Sequence, residues 1–373
     1  MSEPVIVLGA GPAGLAAAAC LKRRGVEPLV LEAGPSVAST WRRHYARLRL
    51  HTVKQQSHLP GMPFPRELPR YPARADVVAY LEAYAARFEI APRAGETTTR
   101  VRADGEGLVV ETARGAYAAR AVVVATGQNR VPNADALADQ ARFAGTLVHA
   151  SSYVDGAPFA GKRVLVVGAG NTGAELALDL LEHGARPTLA VRSPVNVVPR
   201  DFLGMPTQLT SIRLLSRLPR AVADLIGRLV GWLAFGNLAR LGFGRPALGP
   251  LSAIERRGRI PILDVGTIAA VKRGAIAVRA GVARLTEGGA VFVDGAEEAF
   301  DAVVLATGYR PGLEALVDVP GALDGGGLPR DPLGGGAHAN LFFVGYRTVA
   351  TGHLREIGRE AEAVARILAR SRV

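Results

Sequence analysis

Cysteine, lysine and aromatic residues are scarce in this sequence. One cysteine in 373 residues, Cys20, excludes a disulfide framework, a cysteine-built zinc cage and any CxxC redox pair. It points to a reducing, cytoplasmic setting. No other metal-ligand pattern stands out, so no metal site is expected. Only Lys22, Lys54, Lys162 and Lys272 are lysines, which leaves 45 − 4 = 41 arginines. They are scattered, with no basic tail and no basic–aromatic block, so a net charge of +12 does not read as a nucleic-acid-binding pattern. Genome composition accounts for such an arginine bias as well as function does, and part of the charge can steer an anionic cofactor or substrate. Met1-Ser2-Glu3-Pro4 lacks the basic start of a secretory leader. The most lipid-like run, Leu229 to Ala239, has eleven uncharged residues, against the roughly 20 that span a bilayer, so stable membrane insertion is not expected. With 49% apolar and 21% charged residues the chain is a folded one, long enough for two domains.

What is present is a repeated glycine arithmetic. Val5-Ile-Val-Leu-Gly9-Ala-Gly11-Pro-Ala-Gly14 turns an apolar strand into an Ala-rich helix. Gly9 permits the turn, Gly11 lets backbone approach a pyrophosphate, and Gly14 lets helix and strand close up. The next strand, Pro28 to Glu32, ends in an acid 23 residues after Gly9, placed for the hydroxyls of an unphosphorylated ribose. The pattern recurs at Val164-Leu-Val-Val-Gly168-Ala-Gly170-Asn-Thr-Gly173, but there the second strand ends in Arg192-Ser193, 24 residues after Gly168. A guanidinium and a hydroxyl suit a 2′-phosphate that a carboxylate would repel. The first cradle therefore suits FAD and the second NADPH. Two further apolar strands each end in Ala-Thr-Gly, at Thr126-Gly127 and Thr307-Gly308. The expected fold is α/β with two Rossmann-like dinucleotide-binding domains: residues 1–158 begin the FAD domain, 159–300 form an inserted NADPH domain, and 301–373 return to the first. The return strand Leu341 to Gly345 would end near the flavin and lead to a helix over Glu360 to Arg370.

A disulfide reductase would need a cysteine pair that this chain lacks. Between the two cradles, Phe143-Ala-Gly145-Thr-Leu-Val-His149-Ala-Ser-Ser-Tyr153 matches FxGxxxHxxx(Y/F), the marker of the flavin-containing monooxygenase superfamily. Leu48-Arg-Leu-His51-Thr52, Leu59 to Pro65, Tyr71-Pro72, Tyr80 to Phe88, Arg245-Pro246, Pro261 to Gly266 and Ala306 to Tyr309 extend the likeness. In this order, over nearly the whole chain, the sequence resembles the YUCCA group of flavin monooxygenases. The resemblance implies FAD and NADPH as cofactors, dioxygen and a small organic molecule as substrates, and a flavin peroxide that attacks the keto group of an aryl α-keto acid, as in indole-3-pyruvate to indole-3-acetate, or a related Baeyer–Villiger attack on a ketone. A protonated flavin peroxide would instead donate oxygen to an amine or sulfide, and that N- or S-oxygenating alternative stays open. A redox-sensing or nucleic-acid-binding flavoprotein is the rival from another class. A homodimer is allowed.

The resemblance also implies site residues. His51 and Lys54 would surround the oxygenating flavin, Trp41 would pack on FAD, and His149 would organise the link between domains and the placement of NADP. Asn171 and Thr172 would face the NADP phosphates or the nicotinamide. Leu209 to Leu241 reads as a helical pair over the active site, either packing, gating a hydrophobic substrate or touching a membrane surface. Two departures fall where a substrate pocket would be. Val53 stands where YUCCA proteins usually carry proline, and Tyr346 to Arg355 is longer and less glycine-rich than the family's turn.

Overall fold

The computed structural model describes residues 3–370 except positions 106, 136, 335 and 337. Ten strands carry the two main sheets. In chain order they are β1 (Val5–Leu8), β2 (Pro28–Glu32), β3 (Arg93–Ala94), β4 (Ala121–Val124), β5 (Thr146–His149), β6 (Arg163–Val167), β7 (Arg186–Val191), β8 (Ala277–Ala280), β9 (Ala302–Leu305) and β10 (Leu341–Phe343). They form one parallel sheet of order β10-β4-β1-β2-β3 and a second of order β8-β7-β6-β9-β5. Strands such as Val5–Leu8 and Ala121–Val124 contain no polar side chain because helices cover both faces of a parallel sheet.

The helices that matter for the site are α1 (Pro12–Lys22), α2 (Arg74–Arg87), α3 (Asn171–Glu182), α4 (Thr207–Arg213), α5 (Arg220–Phe235), α6 (Pro250–Arg257) and α7 (His353–Arg370). α1 packs against α7, and Leu15, Leu21, Tyr84, Val364 and Leu368 close that core. A second core unites Val164, Val166, Leu176, Leu180 and Val304 around β6. A short antiparallel ladder, Val131–Pro132 against Tyr309–Arg310, joins the two crossings of the chain between the sheets. Among the described residues no helix is long and apolar enough to cross a membrane.

Sheet membership corrects the domain limits expected at 158/159 and 300/301. β5 pairs with β9, and β9 with β6, so residues 146–149 and 302–305 sit in the second sheet. β9 and β4 have the same apolar Ala-Val-Val pattern, and nothing local tells a parallel strand which sheet it joins. The last helix begins at His353 rather than Glu360.

Candidate active site

The two glycine turns are built alike. Gly9 has φ +105° and Gly168 φ +113°, where a side chain would be strained. A Cβ on Gly14 would lie 1.8 Å from the Gly9 carbonyl oxygen, and one on Gly173 1.9 Å from that of Gly168, so each helix sits directly on its turn. Gly11 and Gly170 differ: among the described residues, their chain neighbours aside, nothing lies within 4 Å of where their Cβ atoms would be. Neither α1 nor α3 has an acid in its first turn. Open backbone at a positive helix end is what a dinucleotide diphosphate requires, and both cradles fit the cofactors their sequences suggest.

Glu32 ends β2 with Oε2 accepting from the Ala10 amide (2.6 Å) and Oε1 from the Gly34 amide (2.7 Å). Its carboxylate is thus fixed at the cavity wall with lone pairs left for ribose hydroxyls. Across the cradle, Thr126 Oγ1 and the Tyr346 hydroxyl are 2.8 Å apart, and burial pushes the Tyr346 phenol up to about 12. Gly127 and Gly345 both have positive φ. The Gly345 amide donates to Glu360 Oε2 (2.7 Å), while the buried Oε1 of Glu360 has no hydrogen-bond partner among the described residues. Burial, reinforced by Glu356, raises the Glu360 carboxyl to about 7.

Glu32, Thr126, Gly127 and Gly345 open onto one cavity of about 770 Å³. Trp41, His51 and His353 line it from the first unit, Gln208 from α4, Gly227 from α5 and Ile254 from α6. Gln208 spans the cavity: Oε1 accepts from the Val53 amide (2.8 Å) and Nε2 donates to the Thr351 carbonyl (2.7 Å). His51 Nε2 bonds Glu175 Oε1, and burial, reinforced by the same buried carboxylate, raises the pKa of the Tyr45 phenol. Glu175 belongs to α3, whose successive turns present Glu175, Asp179 and Glu182 on one face. Glu182 holds Arg47 bidentately (2.9 and 2.8 Å), and Asp179 accepts from the Tyr153 hydroxyl (2.6 Å). The helix that opens at the second cradle is therefore fastened to residues 45–51 of the first unit. Burial lowers the affinity of His44 and His353 for a proton.

At the end of β7, Arg192 is exposed and has no acid partner among the described residues. Beside it, Ser193 Oγ accepts from Arg259 Nη1 (3.2 Å), which adds a second guanidinium to the place expected for a 2′-phosphate. His149 closes β5. Its Nδ1 accepts from the Ser151 amide (3.1 Å) and its Nε2 lies 3.2 Å from the Gly308 carbonyl oxygen, the arrangement of a neutral ring. Burial holds its pKa below the usual value. Through Gly308 it reaches the Thr307 turn, where Thr307 Oγ1 donates to the Asn133 carbonyl (2.6 Å).

Comparison with known proteins places this arrangement. The profile of the family described as pyridine nucleotide-disulphide oxidoreductase matches residues 6–201. The chain is 44% identical over 330 residues to indole-3-pyruvate monooxygenase YUCCA1 of Oryza sativa subsp. japonica, covering 85% of this chain and 79% of that protein. It is 40% identical to the probable indole-3-pyruvate monooxygenase YUCCA1 of Arabidopsis thaliana, covering 91% and 84%. The chain belongs to the YUCCA-type flavin monooxygenase family. A solved flavin-containing monooxygenase from Stenotrophomonas maltophilia superposes with a TM-score of 0.77 at 26% identity, over 99% of both chains. The enzyme is an NADPH-dependent class B flavin monooxygenase that uses FAD. The disulphide chemistry in the wider family's title has no counterpart here: Cys20 is alone and fully buried in α1, its thiol pushed up to about 11 by that burial.

Of the residues singled out in the sequence, the YUCCA-type cavity collects Gly9, Gly11, Glu32, Trp41, His51, Thr126, Gly127, Asn171 and Gly345. Lys54 is a correction. Its ammonium group donates to the carbonyls of Pro65 (3.2 Å), Arg66 (2.5 Å) and Leu68 and does not line the cavity; three carbonyls hold it as a loop tie. Asn171 lines the cavity, and its Nδ2 donates to the Pro261 carbonyl (3.0 Å) while its Oδ1 accepts from the Leu263 amide (2.8 Å), which ties the 261–263 segment to the start of α3. Thr172 lies in the first turn of α3. Sequence reasoning missed Glu175, Gln208, Tyr346 and Arg259. Tyr346 alone carried a local signal, one residue past Gly345; the others meet their partners only through tertiary structure.

Proposed function

We propose that this monooxygenase cleaves an aryl α-keto acid oxidatively, with indole-3-pyruvate giving indole-3-acetate as the leading case. The balance is R–CO–COO⁻ + O2 + NADPH + H⁺ → R–COO⁻ + CO2 + NADP⁺ + H2O, one oxygen atom entering the acid and the other leaving as water. The observation that carries this reading is the 44% identity to the rice indole-3-pyruvate monooxygenase over 85% of the chain. The bound flavin supplies electron relay and oxygen activation, and the chain supplies binding, orientation and exclusion of water. In this reading Gly168, Gly170 and Gly173 take the NADPH diphosphate at the start of α3, while Arg192, Ser193 and Arg259 grip its 2′-phosphate. Glu32 takes the FAD ribose, and His51, oriented by Glu175, faces the reacting region. The lone buried Cys20 supports a cytoplasmic setting.

A second reading, oxygenation of an amine or sulfide, rests on the cavity wall that departs from the family: Val53 is tied through Gln208 to the Thr351 turn. The test supplies purified, flavin-loaded enzyme with NADPH, air and either indole-3-pyruvate or an amine and sulfide panel. Stoichiometric carbon dioxide and indole-3-acetate support the first reading. Formation of N-oxide or sulfoxide without any decarboxylation of aryl pyruvates refutes it.

A further inference from the structure

The helix α5 wears its hydrophobic face outward. Val222, Leu225, Leu229, Trp232 and Leu233 fall within an arc of about 100° on a helical projection, and all five are exposed, Leu225 by 67% and Trp232 by 61%. The inward face is small: Ala223 and Gly231 are buried, a Cβ on Gly227 would meet Pro250 Cγ at 2.6 Å, and one on Gly231 would meet the Val197 carbonyl at 2.9 Å. Close backbone approach thus seats the helix, while its large apolar side chains face water. Leu203, Met205, Leu214 and Ile260 add exposed apolar surface in the same segment.

The segment that carries this face is strongly biased to positive charge. Residues 203–260 contain nine arginines and no lysine, against Asp224 and Glu255. Asp224 is buried and accepts from the Leu251 and Ser252 amides at the start of α6, and Glu255 is paired with Arg220. Arg213, Arg217, Arg240, Arg245, Arg256 and Arg257 are exposed, with no acid partner among the described residues. A second copy of the chain docked through the same face would bring these arginines against their equivalents. An anionic surface with an apolar interior satisfies both features at once.

We propose that α5 and its arginine surround dock the enzyme on the surface of an anionic lipid bilayer, peripherally and without spanning it. Gly227, on the inner side of α5, lines the active-site cavity, so the docked face lies on the wall of the site. The test is co-sedimentation of the full-length, flavin-loaded enzyme with vesicles of phosphatidylcholine alone or mixed with phosphatidylglycerol. Binding to the mixed vesicles is expected, weaker by on the order of ten-fold on pure phosphatidylcholine or in high salt. The triple variant Leu225→Glu/Leu229→Glu/Trp232→Glu should lose on the order of ten-fold or more of that binding while keeping its flavin and its NADPH oxidation. Trp232 fluorescence should be quenched by brominated lipid, and the Trp232→Phe variant should lack that quenching. Unchanged vesicle binding by the triple variant overturns the proposal. So does failure to bind vesicles combined with a dimer, seen by sedimentation velocity, that the triple variant abolishes.

Discussion

Replacing Glu360 by glutamine tests how the flavin-side turn is held. The carboxyl is 4% exposed, accepts from the Gly345 amide, and sits at about 7 in the fold instead of 4.5. Because the folded protein holds this proton more tightly than the unfolded chain does, stability is fullest below pH 4.5 and drains away as pH rises to 7. At about 1.4 kcal/mol per pKa unit, the loss amounts to roughly 3 kcal/mol. Glutamine keeps an oxygen for the Gly345 amide and carries no charge at any pH. Melting the variant and the parent side by side from pH 4.5 to 8 isolates the effect, since every histidine contribution is common to both. The difference should move in the variant's favour by roughly 4 °C across that range, the value expected for about 3 kcal/mol in a chain of this length. A difference that stays flat with pH would mean that Glu360 ionises normally and that burial is not what governs it.

Three other outcomes follow from the geometry. Val53 has φ −67°, already the angle a proline ring imposes, so Val53→Pro should cost only the amide bond to Gln208: a net loss on the order of 1 kcal/mol by chemical denaturation, with altered substrate selectivity. Arg192→Ala and Arg259→Ala should each raise the KM for NADPH by about 10- to 100-fold while leaving that for NADH nearly unchanged, and equal effects on both donors would remove the phosphate-gripping role. Protonating His149 breaks its acceptance from the Ser151 amide, and its lowered pKa means that stability is lost as pH falls below 6.5. The melting temperature of His149→Gln should therefore fall less steeply than the parent's between pH 6.5 and 5, and parallel slopes would contradict this.

The parts of the site that a single segment builds were readable from the sequence. Gly9, Gly14, Gly168 and Gly173 must be glycine for reasons internal to one strand–turn–helix unit, and Glu32 and Arg192 stand at a fixed distance from those turns. What escaped was set by distant contact. Lys54 looked available for chemistry until the 65–68 loop folded over it, and Glu175 passed for an ordinary helix residue until His51 and Tyr45 arrived from 124 and 130 positions upstream. The limits of the inserted unit failed for the same reason, because β5 and β9 choose their sheet by pairing with one another. Val53 shows the converse: a departure from the family's proline keeps the proline's backbone angle and uses the freed amide.

The fastening of α3 to residues 45–51 has a mechanical consequence. Glu175 and Glu182 bolt the electron donor's platform to the oxygen-activating half, so the halves cannot swing apart as free blocks without exposing a buried carboxylate. Swinging the halves apart would break the His51–Glu175 and Arg47–Glu182 contacts, so a distance label on each half is expected to report a single separation throughout turnover, and two separations would refute this.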